Sequence, residues 1–211
     1  VVMITMPKSL VAVLATLFCL IAISCQRQTE TTSSQPTVAL VLKTLNNPFF
    51  IDMQKGAQQA AGQAGVRLTV QAAEREVDVE KQMQIIENLI QSKVSALCVT
   101  PSGSREIVPA IVKANRAGIP VVILDTRVHL QTLQEAGGKV SSFIGSDNFE
   151  GGRLAGEFIL KKLGGSGKVA VLEGIPGHET GDSRLKGFHT AVDTHPGIQV
   201  VATQTANWER D

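Results

Sequence analysis

Residues 38–50, which read VALVLKTLNNPFF, constrain the fold of this chain more than any other stretch. Val38 to Leu42 is a short, uninterrupted apolar run, which is typical of a buried strand. Asn47 and Pro48 then favour a helix start, because Asn caps the first free N–H groups and Pro has no N–H to leave unpaired. A strand, a short loop and a helix in this order predict the opening of a βαβ unit and therefore a parallel sheet.

The same alternation of strand and helix continues along the chain. Strands are predicted over 38–42, 66–70, 94–99, 120–124, 140–144, 168–172 and 198–203. Helices are predicted over 48–64, 77–92, 104–117, 149–163 and 181–193, and a polar loop is predicted over 127–139. We therefore expect an α/β fold in which parallel sheets are flanked by helices and joined by right-handed crossovers.

Several of the predicted helices carry apolar residues at helical spacing, which predicts the faces that they bury. In the helix over 77–92 the inward residues are expected to be Val79, Met83, Ile86 and Ile90. In the helix over 149–163 they are expected to be Leu154, Phe158 and Leu163.

The N-terminal 37 residues differ in character from the rest. Lys8 precedes an apolar stretch that ends at Ile23 and is shorter than the roughly 20 residues that span a membrane. A positive charge, an apolar core and small residues in this order are typical of a secretory signal, which we place over 1–25. Residues 26–37 are rich in Thr, Ser, Gln and Glu and are predicted to be a flexible tether.

Composition argues against several classes of function. The net charge is +1 and charged residues make up 18% of the chain, whereas a nucleic-acid binder should have a strong basic bias. Cys98 is expected to be a small buried hydrophobe without a redox or metal role. Gly164–Lys168 joins a helix to a strand, whereas a phosphate loop joins a strand to a helix. With no metal-ligand spacing and no catalytic triad pattern, we predict a non-enzyme without metal or cofactor.

Polar and aromatic residues are expected to meet at the carboxyl ends of the strands, where open α/β sheets bind ligands. Asn47, Phe49 and Phe50 follow the first strand, and Asp125 directly follows the fourth. Amide and carboxylate groups bond hydroxyls, and aromatic rings cover apolar faces, so the set suits a ligand with both. The alternatives are a helix cap for Asn47, core packing for the two rings and a turn cap for Asp125.

Two residues of the second half are expected at the corresponding edge. Arg184 lies at the start of the helix over 181–193, and Trp208 follows the last predicted strand. The alternatives are a solvated helix charge for Arg184 and simple packing near the chain end for Trp208.

Four groups of residues form a combined pattern from residue 38 to the end of the chain. They are Ala39-Leu40-Val41 with Thr44–Phe50; Leu124-Asp125; Ser146-Asp147-Asn148 with Gly151-Gly152 and Ala155-Gly156; and Glu173-Gly174-Ile175 with Arg184 and Gly187-Phe188. The pattern resembles the periplasmic sugar-binding proteins of ABC importers, most closely the ribose-binding type. This resemblance implies two α/β lobes that close on a sugar, over 38–145 and 146–211. It also implies that the second lobe is incomplete and that the sequence is truncated at its C-terminus.

The resemblance also implies roles for individual residues. Asn47, Phe49, Phe50 and Asp125 match ligand contacts of the first lobe. Arg184 matches a contact of the second lobe to sugar oxygens. The first hinge crossing corresponds to Ser146, Asp147 and Asn148. The chain departs from the ribose binders at three positions. Lys43 stands where a small Ser is usual, Thr126 replaces the Arg that follows the Asp, and Trp208 replaces a Phe. These departures argue against ribose itself and favour a pyranose or another larger ligand.

The residues Ala22-Ile23-Ser24-Cys25 resemble a bacterial lipobox, which implies lipidation of Cys25. A plain secretory signal and an uncleaved anchor are the alternatives. The resulting hypothesis is an exported, lipid-anchored, monomeric protein that delivers a monosaccharide or small polyol to ABC permease subunits and contacts no nucleic acid.

Three other functions were weighed against this one. A sensor subunit for a receptor kinase or chemoreceptor is the main alternative. A regulator of the lactose-repressor type is disfavoured, because the chain begins with an export signal and not with a helix-turn-helix. A nucleotide-dependent enzyme is disfavoured as well, because no Gly-x-Gly-x-x-Gly follows residues 38–42.

Overall fold

A computed structural model describes residues 35–209 of the chain. The predicted signal, including Cys25, and most of the predicted tether lie outside the described residues. The strands are β1 Thr37–Thr44, β2 Arg67–Ala73, β3 Ala96–Val99, β4 Val121–Leu124, β5 Ser142–Ile144, β6 Gly167–Glu173 and β7 Ile198–Thr205. The helices are α1 Pro48–Ala64, α2 Val79–Gln91, α3 Val108–Arg116, α4 Leu130–Glu135, α5 Asn148–Lys162 and α6 Glu179–Val192.

The strands form two sheets, in which every pair of neighbours is parallel. Five strands form the first sheet in the order β2-β1-β3-β4-β5, and β6 pairs with β7 in the second. Each strand from β1 to β6 is followed by a helix before the next strand begins. This α/β architecture with parallel sheets confirms the predicted fold class.

Helix α1 begins and ends where its sequence predicts. The side-chain oxygen of Asn47 accepts a hydrogen bond from the Phe49 N–H at 3.1 Å, and Pro48 is the first helical residue. Gly65 ends the helix with a φ of 65°, in the left-handed region that glycine adopts without a steric penalty. The N–H groups of Gly65 and Val66 both donate to the carbonyl of Ala61, which satisfies one of the free carbonyls at the end of the helix.

Alternate residues of β1 face opposite sides of the first sheet. On one side, Ala39 and Val41 pack with α2 and α3 in the larger apolar cluster of the protein. On the other side, Leu40 and Leu42 pack with Phe50 of α1, and Cys98 lies partly buried against them. This burial raises the pKa of the Cys98 thiol. With both faces of β1 covered, its carboxyl end is fixed beneath the loop that begins at residue 45.

The predicted inward position is confirmed for Ile86, and Met83 and Ile90 pack against the larger apolar cluster, but the buried face of α2 is centred about one residue away from the predicted one. The helix buries Gln82, Ile85, Ile86 and Leu89, whereas Val79, Met83 and Ile90 are only partly buried. The predicted polar loop over 127–139 was also wrong in part, because it contains α4. The ring of His129 accepts a hydrogen bond from the Thr132 N–H and caps this helix, and Leu133 anchors it in the core.

The predicted buried face of α5 was wrong. Leu154, Phe158 and Leu163 are 51%, 58% and 39% exposed, and the helix buries Gly152 and Gly156 instead. A Cβ on Gly152 would overlap the backbone of Arg184 in α6. The two helices therefore meet backbone to backbone, and glycine decides which face is inward. None of the helices between residues 35 and 209 has the length and apolar character that crossing a membrane requires.

Candidate ligand-binding cleft

A cavity of about 260 Å³ lies at the carboxyl ends of β1 and β4, facing the start of α6. We call it the cleft. Its lining residues are Lys43, Asn47, Phe49, Phe50, Glu76, Asp125, Thr180, Arg184 and Trp208. The structure thus brings together all of the ligand residues predicted from the sequence except Thr126.

Lys43 forms the floor of the cleft. Its side chain is only 3% exposed, and its Nζ lies 3.6 Å from Oδ2 of Asp125 and 3.9 Å from Oε2 of Glu76. The ammonium group also lies 5.8 Å from the centre of the Phe50 ring. Burial lowers the pKa of Lys43, and the two carboxylates act against that shift. A buried cation between two anions is the main electrostatic feature of the site.

Asp125 occupies a three-residue turn at the end of β4. Its φ is 60°, and the Thr126 N–H donates to the carbonyl of Leu124 across it at 2.6 Å. A non-glycine residue in this region costs on the order of 1–3 kcal/mol. The Asp125 N–H donates to the carbonyl of Ile144 at 2.8 Å, so the neighbouring strand β5 holds the turn in place.

Thr126 does not line the cleft. It is fully buried behind Asp125, and its hydroxyl donates to Oδ2 of that residue at 3.0 Å. It also accepts a hydrogen bond from the Thr180 hydroxyl at 3.2 Å. The structure therefore places Thr126 as a support for the Asp125 carboxylate.

Asn47 and the two phenylalanines form the lip beside this floor. The Asn47 amide caps α1 through its oxygen and donates from Nδ2 to Oε1 of Glu76 at 3.0 Å. Phe49 is 53% exposed, whereas Phe50 is 2% exposed, and the two rings meet edge to face at 5.2 Å. Phe49 is thus the open ring, and Phe50 belongs mainly to the core.

Sequence reasoning missed the buried Thr180 of the cleft lining and two further buried polar residues in or near the cleft. Glu76 follows β2 in a polar loop and gives no local sign of its 7% exposure. Gln82 lies in α2, where its side chain donates to the Thr100 carbonyl at 2.9 Å and accepts from the Ser102 N–H at 2.8 Å. Its position on the inward face of an amphipathic helix is the one feature that could have identified it.

Arg184 and Trp208 form the opposite wall. Nε of Arg184 donates to Oδ1 of Asn148 at 2.9 Å, and its guanidinium lies 5.7 Å from the centre of the Trp208 ring. The indole lies directly over Gly174, where any Cβ would overlap it. Gly187 of α6 lies equally close to the backbone of α5, so the small residues of both helices bring Arg184 to Asn148.

The predicted hinge residues lie at the start of α5. Asp147 caps the helix, because its Oδ1 accepts from the Glu150 N–H at 3.0 Å. Asn148 is buried beneath Arg184, and Ser146 is exposed. All three line a second cavity of about 470 Å³ beside the cleft, which shares Arg184 and Trp208 with it.

The start of α6 is held against the loops that follow β3 and β4. The imidazole Nε2–H of His178 donates to the carbonyl of Pro101 at 3.3 Å, and the Glu179 N–H donates to the Ser104 hydroxyl at 3.2 Å. Burial is the main cause that lowers the pKa of His178 to about 4, so the ring is neutral at pH 7. Sequence reasoning did not identify this contact.

The chemistry of the cleft is that of a binding site for a neutral polar molecule. Two cations, Lys43 and Arg184, are balanced by two carboxylates, Glu76 and Asp125, and an exposed ring adjoins them. Within residues 35–209, no three His, Cys, Asp or Glu side chains are grouped in a way that could hold a metal ion.

Comparison with known proteins places these features in a family. Residues 38–211 match the family described as periplasmic binding protein domain. The chain is 39% identical over 174 residues to the ribose import binding protein RbsB of Bacillus subtilis, a match that covers 82% of this chain and 53% of the relative. It is 36% identical over 173 residues to the D-allose-binding periplasmic protein of Escherichia coli, covering 82% and 56%. The chain therefore spans a little over half the length of these curated relatives.

Solved structures agree with the sequence matches. An ABC transporter periplasmic solute binding protein from Actinobacillus succinogenes with bound D-allose superposes with a TM-score of 0.78 at 43% identity, covering 83% of this chain and 61% of that one. The fructose-binding periplasmic domain of a hybrid two-component system has a TM-score of 0.75 at 24% identity, covering 83% and 56%. The second likeness is one of fold alone.

Proposed function

Because the chain belongs to the family of periplasmic binding protein domains, we propose that it binds a sugar and delivers it to an ABC transporter, without catalysis. The ligand is a monosaccharide or a related small polyol. ABC permease subunits are the partners, and the working form is a monomer.

The charge-balanced cleft is the observation that carries this proposal. A sugar presents hydroxyl groups around its edge and C–H groups on its faces. Asp125, Asn47 and Arg184 offer bonding groups for the edge, while Phe49 and Trp208 offer rings for the faces. An ionised ligand is disfavoured, because the buried ammonium group of Lys43 already has two carboxylate partners, Glu76 and Asp125.

The relatives favour an aldose of the ribose and allose class. Their names describe ribose import and D-allose binding, and the structure with bound D-allose has the highest identity of the relatives described above. Lys43 and Trp208, the two departures from the ribose pattern that line the cleft, lead us to expect D-allose to bind more tightly than D-ribose. Import is favoured over a sensor role, because the sensor domain shares only the fold.

Isothermal titration calorimetry of the 211-residue chain with D-allose, D-ribose and D-fructose tests the proposal. We expect saturable binding of at least one aldose, and loss of that binding in Asp125→Ala. Absence of heat with every pentose, hexose and polyol tried would contradict the proposal. Unchanged affinity in Asp125→Ala would mean that the sugar binds elsewhere.

We also propose that the protein is exported and held at the membrane surface through a lipid on Cys25. The support is the signal-like order of residues 1–25 and the family's periplasmic setting. One acyl chain binds membranes only marginally, so firm anchoring requires more than one. Labelling with a fatty-acid probe in a bacterial host should mark the protein but not Cys25→Ala. An unlabelled protein would contradict lipidation.

The lobes over 38–145 and 146–211, and the hinge at Ser146, Asp147 and Asn148, remain part of the proposal. The separate sheets β2-β1-β3-β4-β5 and β6-β7 support this division, because the break between them lies next to those residues. Closure would be favoured only by ligand contacts that are better in the closed form.

A further inference from the structure

Glu76 engages two different residues of the cleft with its two carboxylate oxygens. Oε1 accepts a hydrogen bond from Nδ2 of Asn47 at 3.0 Å, and Oε2 lies 3.9 Å from Nζ of Lys43. The side chain is only 8% exposed. A carboxylate that is this deeply buried requires partners, and both of its partners line the cleft.

The first of these contacts fixes the orientation of the Asn47 amide. Its oxygen accepts from the Phe49 N–H, so Nδ2 must face Glu76. Nδ2 carries two hydrogens. Glu76 takes one of them, and no other partner for Nδ2 lies within residues 35–209. Asn47 is thereby set to offer a ligand one N–H donor at a defined position.

The second contact holds the ammonium group of Lys43. Besides Glu76, the charged and titratable groups that face it are Asp125, Arg184 and His178. Glu76 and Asp125 attract the ammonium, Arg184 repels it, and His178 is neutral at pH 7. Glu76 therefore supplies one of the two attractions that favour the charged form of Lys43 against the effect of burial.

We propose that Glu76 is a positioning residue for the sugar: it acts through Lys43 and Asn47, aiming their N–H donors into the cleft. This inference rests on the proposed function. It implies that part of the sugar specificity of Lys43 and Asn47 depends on a residue in the loop after β2. A comparison of the motif at the end of β1 alone would not include that residue.

Glu76→Gln separates the two contacts, because Gln can still accept from Asn47 but has no charge for Lys43. We expect D-allose affinity at pH 8 to fall about tenfold, which is the lower end of the loss observed when a group that orients a metal ligand is removed, a comparable positioning role. Because the variant removes an attraction that raises the pKa of Lys43, the pH above which binding weakens should also move lower. Calorimetric titrations from neutral pH to about pH 10, near the ordinary pKa of lysine, measure both effects.

Glu74→Gln is the matched control, because it makes the same change on an exposed carboxylate of the same loop. Its affinity and pH profile should equal those of the unaltered chain. Glu76→Asp keeps the charge, so its alkaline weakening should stay near that of the unaltered chain even where its affinity falls. Thermal unfolding of each variant establishes that it is folded.

Two results would overturn the inference while leaving the proposed function intact. In the first, the unaltered chain binds D-allose, and the Glu76→Gln and Glu74→Gln variants have the same affinity and pH dependence as that chain. The other is an equal loss from Glu76→Gln in a Lys43→Met background, which would show that Glu76 does not act through Lys43. If the unaltered chain binds none of the pentoses, hexoses and polyols tried, the proposed function itself fails.

Discussion

Adding one methyl group at Gly152 should destabilise the protein, whereas adding it at the adjacent Gly151 should stabilise it. Both glycines lie in α5. A Cβ on Gly151 meets nothing within 4 Å, but a Cβ on Gly152 would lie 2.6 Å from the carbonyl carbon of Arg184 and 2.8 Å from its Cα. The obstacle is backbone and cannot rotate away, so α5 and α6 would have to separate.

The magnitude follows from two opposing terms. Replacing a helical Gly by Ala favours folding by about 1 kcal/mol, and this gain applies to both variants. Overpacking at Gly152 costs roughly 3 kcal/mol, the upper end of the usual range, because only backbone can yield. Relative to the unaltered chain, we expect Gly151→Ala to gain about 1 kcal/mol and Gly152→Ala to lose about 2 kcal/mol, combining these two terms.

Thermal and urea unfolding followed by circular dichroism measure the difference. At about 2–4 °C per kcal/mol for a chain of this size, the melting temperatures of the two variants should differ by about 6–12 °C. Separation of the helices should also move Arg184 away from Asn148 and weaken sugar binding in Gly152→Ala only. Equal melting temperatures for the two variants would refute the close helix contact.

Three further outcomes are expected. Asp125→Asn should keep the turn, because Asn tolerates a positive φ. It should weaken sugar binding by at least about tenfold, because Lys43 loses a charged partner, and a calorimetric titration measures this loss. The pKa of His178 is lowered to about 4 from an ordinary 6.5, so on acidification the unfolded chain takes up a proton before the folded chain does. The free energy of unfolding should therefore fall by about 3 kcal/mol as the pH drops from about 6.5 to 4. Urea unfolding midpoints measure this fall, and the His178→Gln variant should lack this part of the pH dependence. Gly174→Ala should displace the indole of Trp208, the one tryptophan of the chain. The maximum of the tryptophan fluorescence emission should therefore shift, and its response to D-allose should be lost. An unshifted maximum would contradict the overlap between the added Cβ and the indole.

The sequence predicts the first sheet and its cleft edge well, for local reasons. The strand over 38–42, the Asn47 cap and the helix over 48–64 each depend on neighbours in the chain, and the structure has all three. Asp125 was expected at a strand end, and strand ends of one parallel sheet must meet. What depends on neighbours along the chain could therefore be predicted.

Features that depend on distant partners could not. Apolar spacing assigned Leu154 and Phe158 to the core, but the buried face of α5 is set by glycines that fit against α6. Glu76 is polar and lies in a polar loop. It is buried because it contacts Lys43 and Asn47, which belong to another part of the chain. Neither outcome is encoded in a periodicity or in a short motif.

If the cleft binds the proposed sugar, the left-handed backbone at Asp125 limits how its ligand preference can evolve. With a φ of 60°, the position accepts Asn or Gly readily, and a longer acidic side chain such as Glu only with strain. Mutational drift at this codon is thus confined to a few residues, none of which extends the carboxylate farther into the cleft. Adaptation to a ligand of another size must instead come from positions with ordinary backbone geometry, of which Lys43 and Phe49 are the most direct. A lineage that changes its sugar should therefore keep the Asp and vary around it.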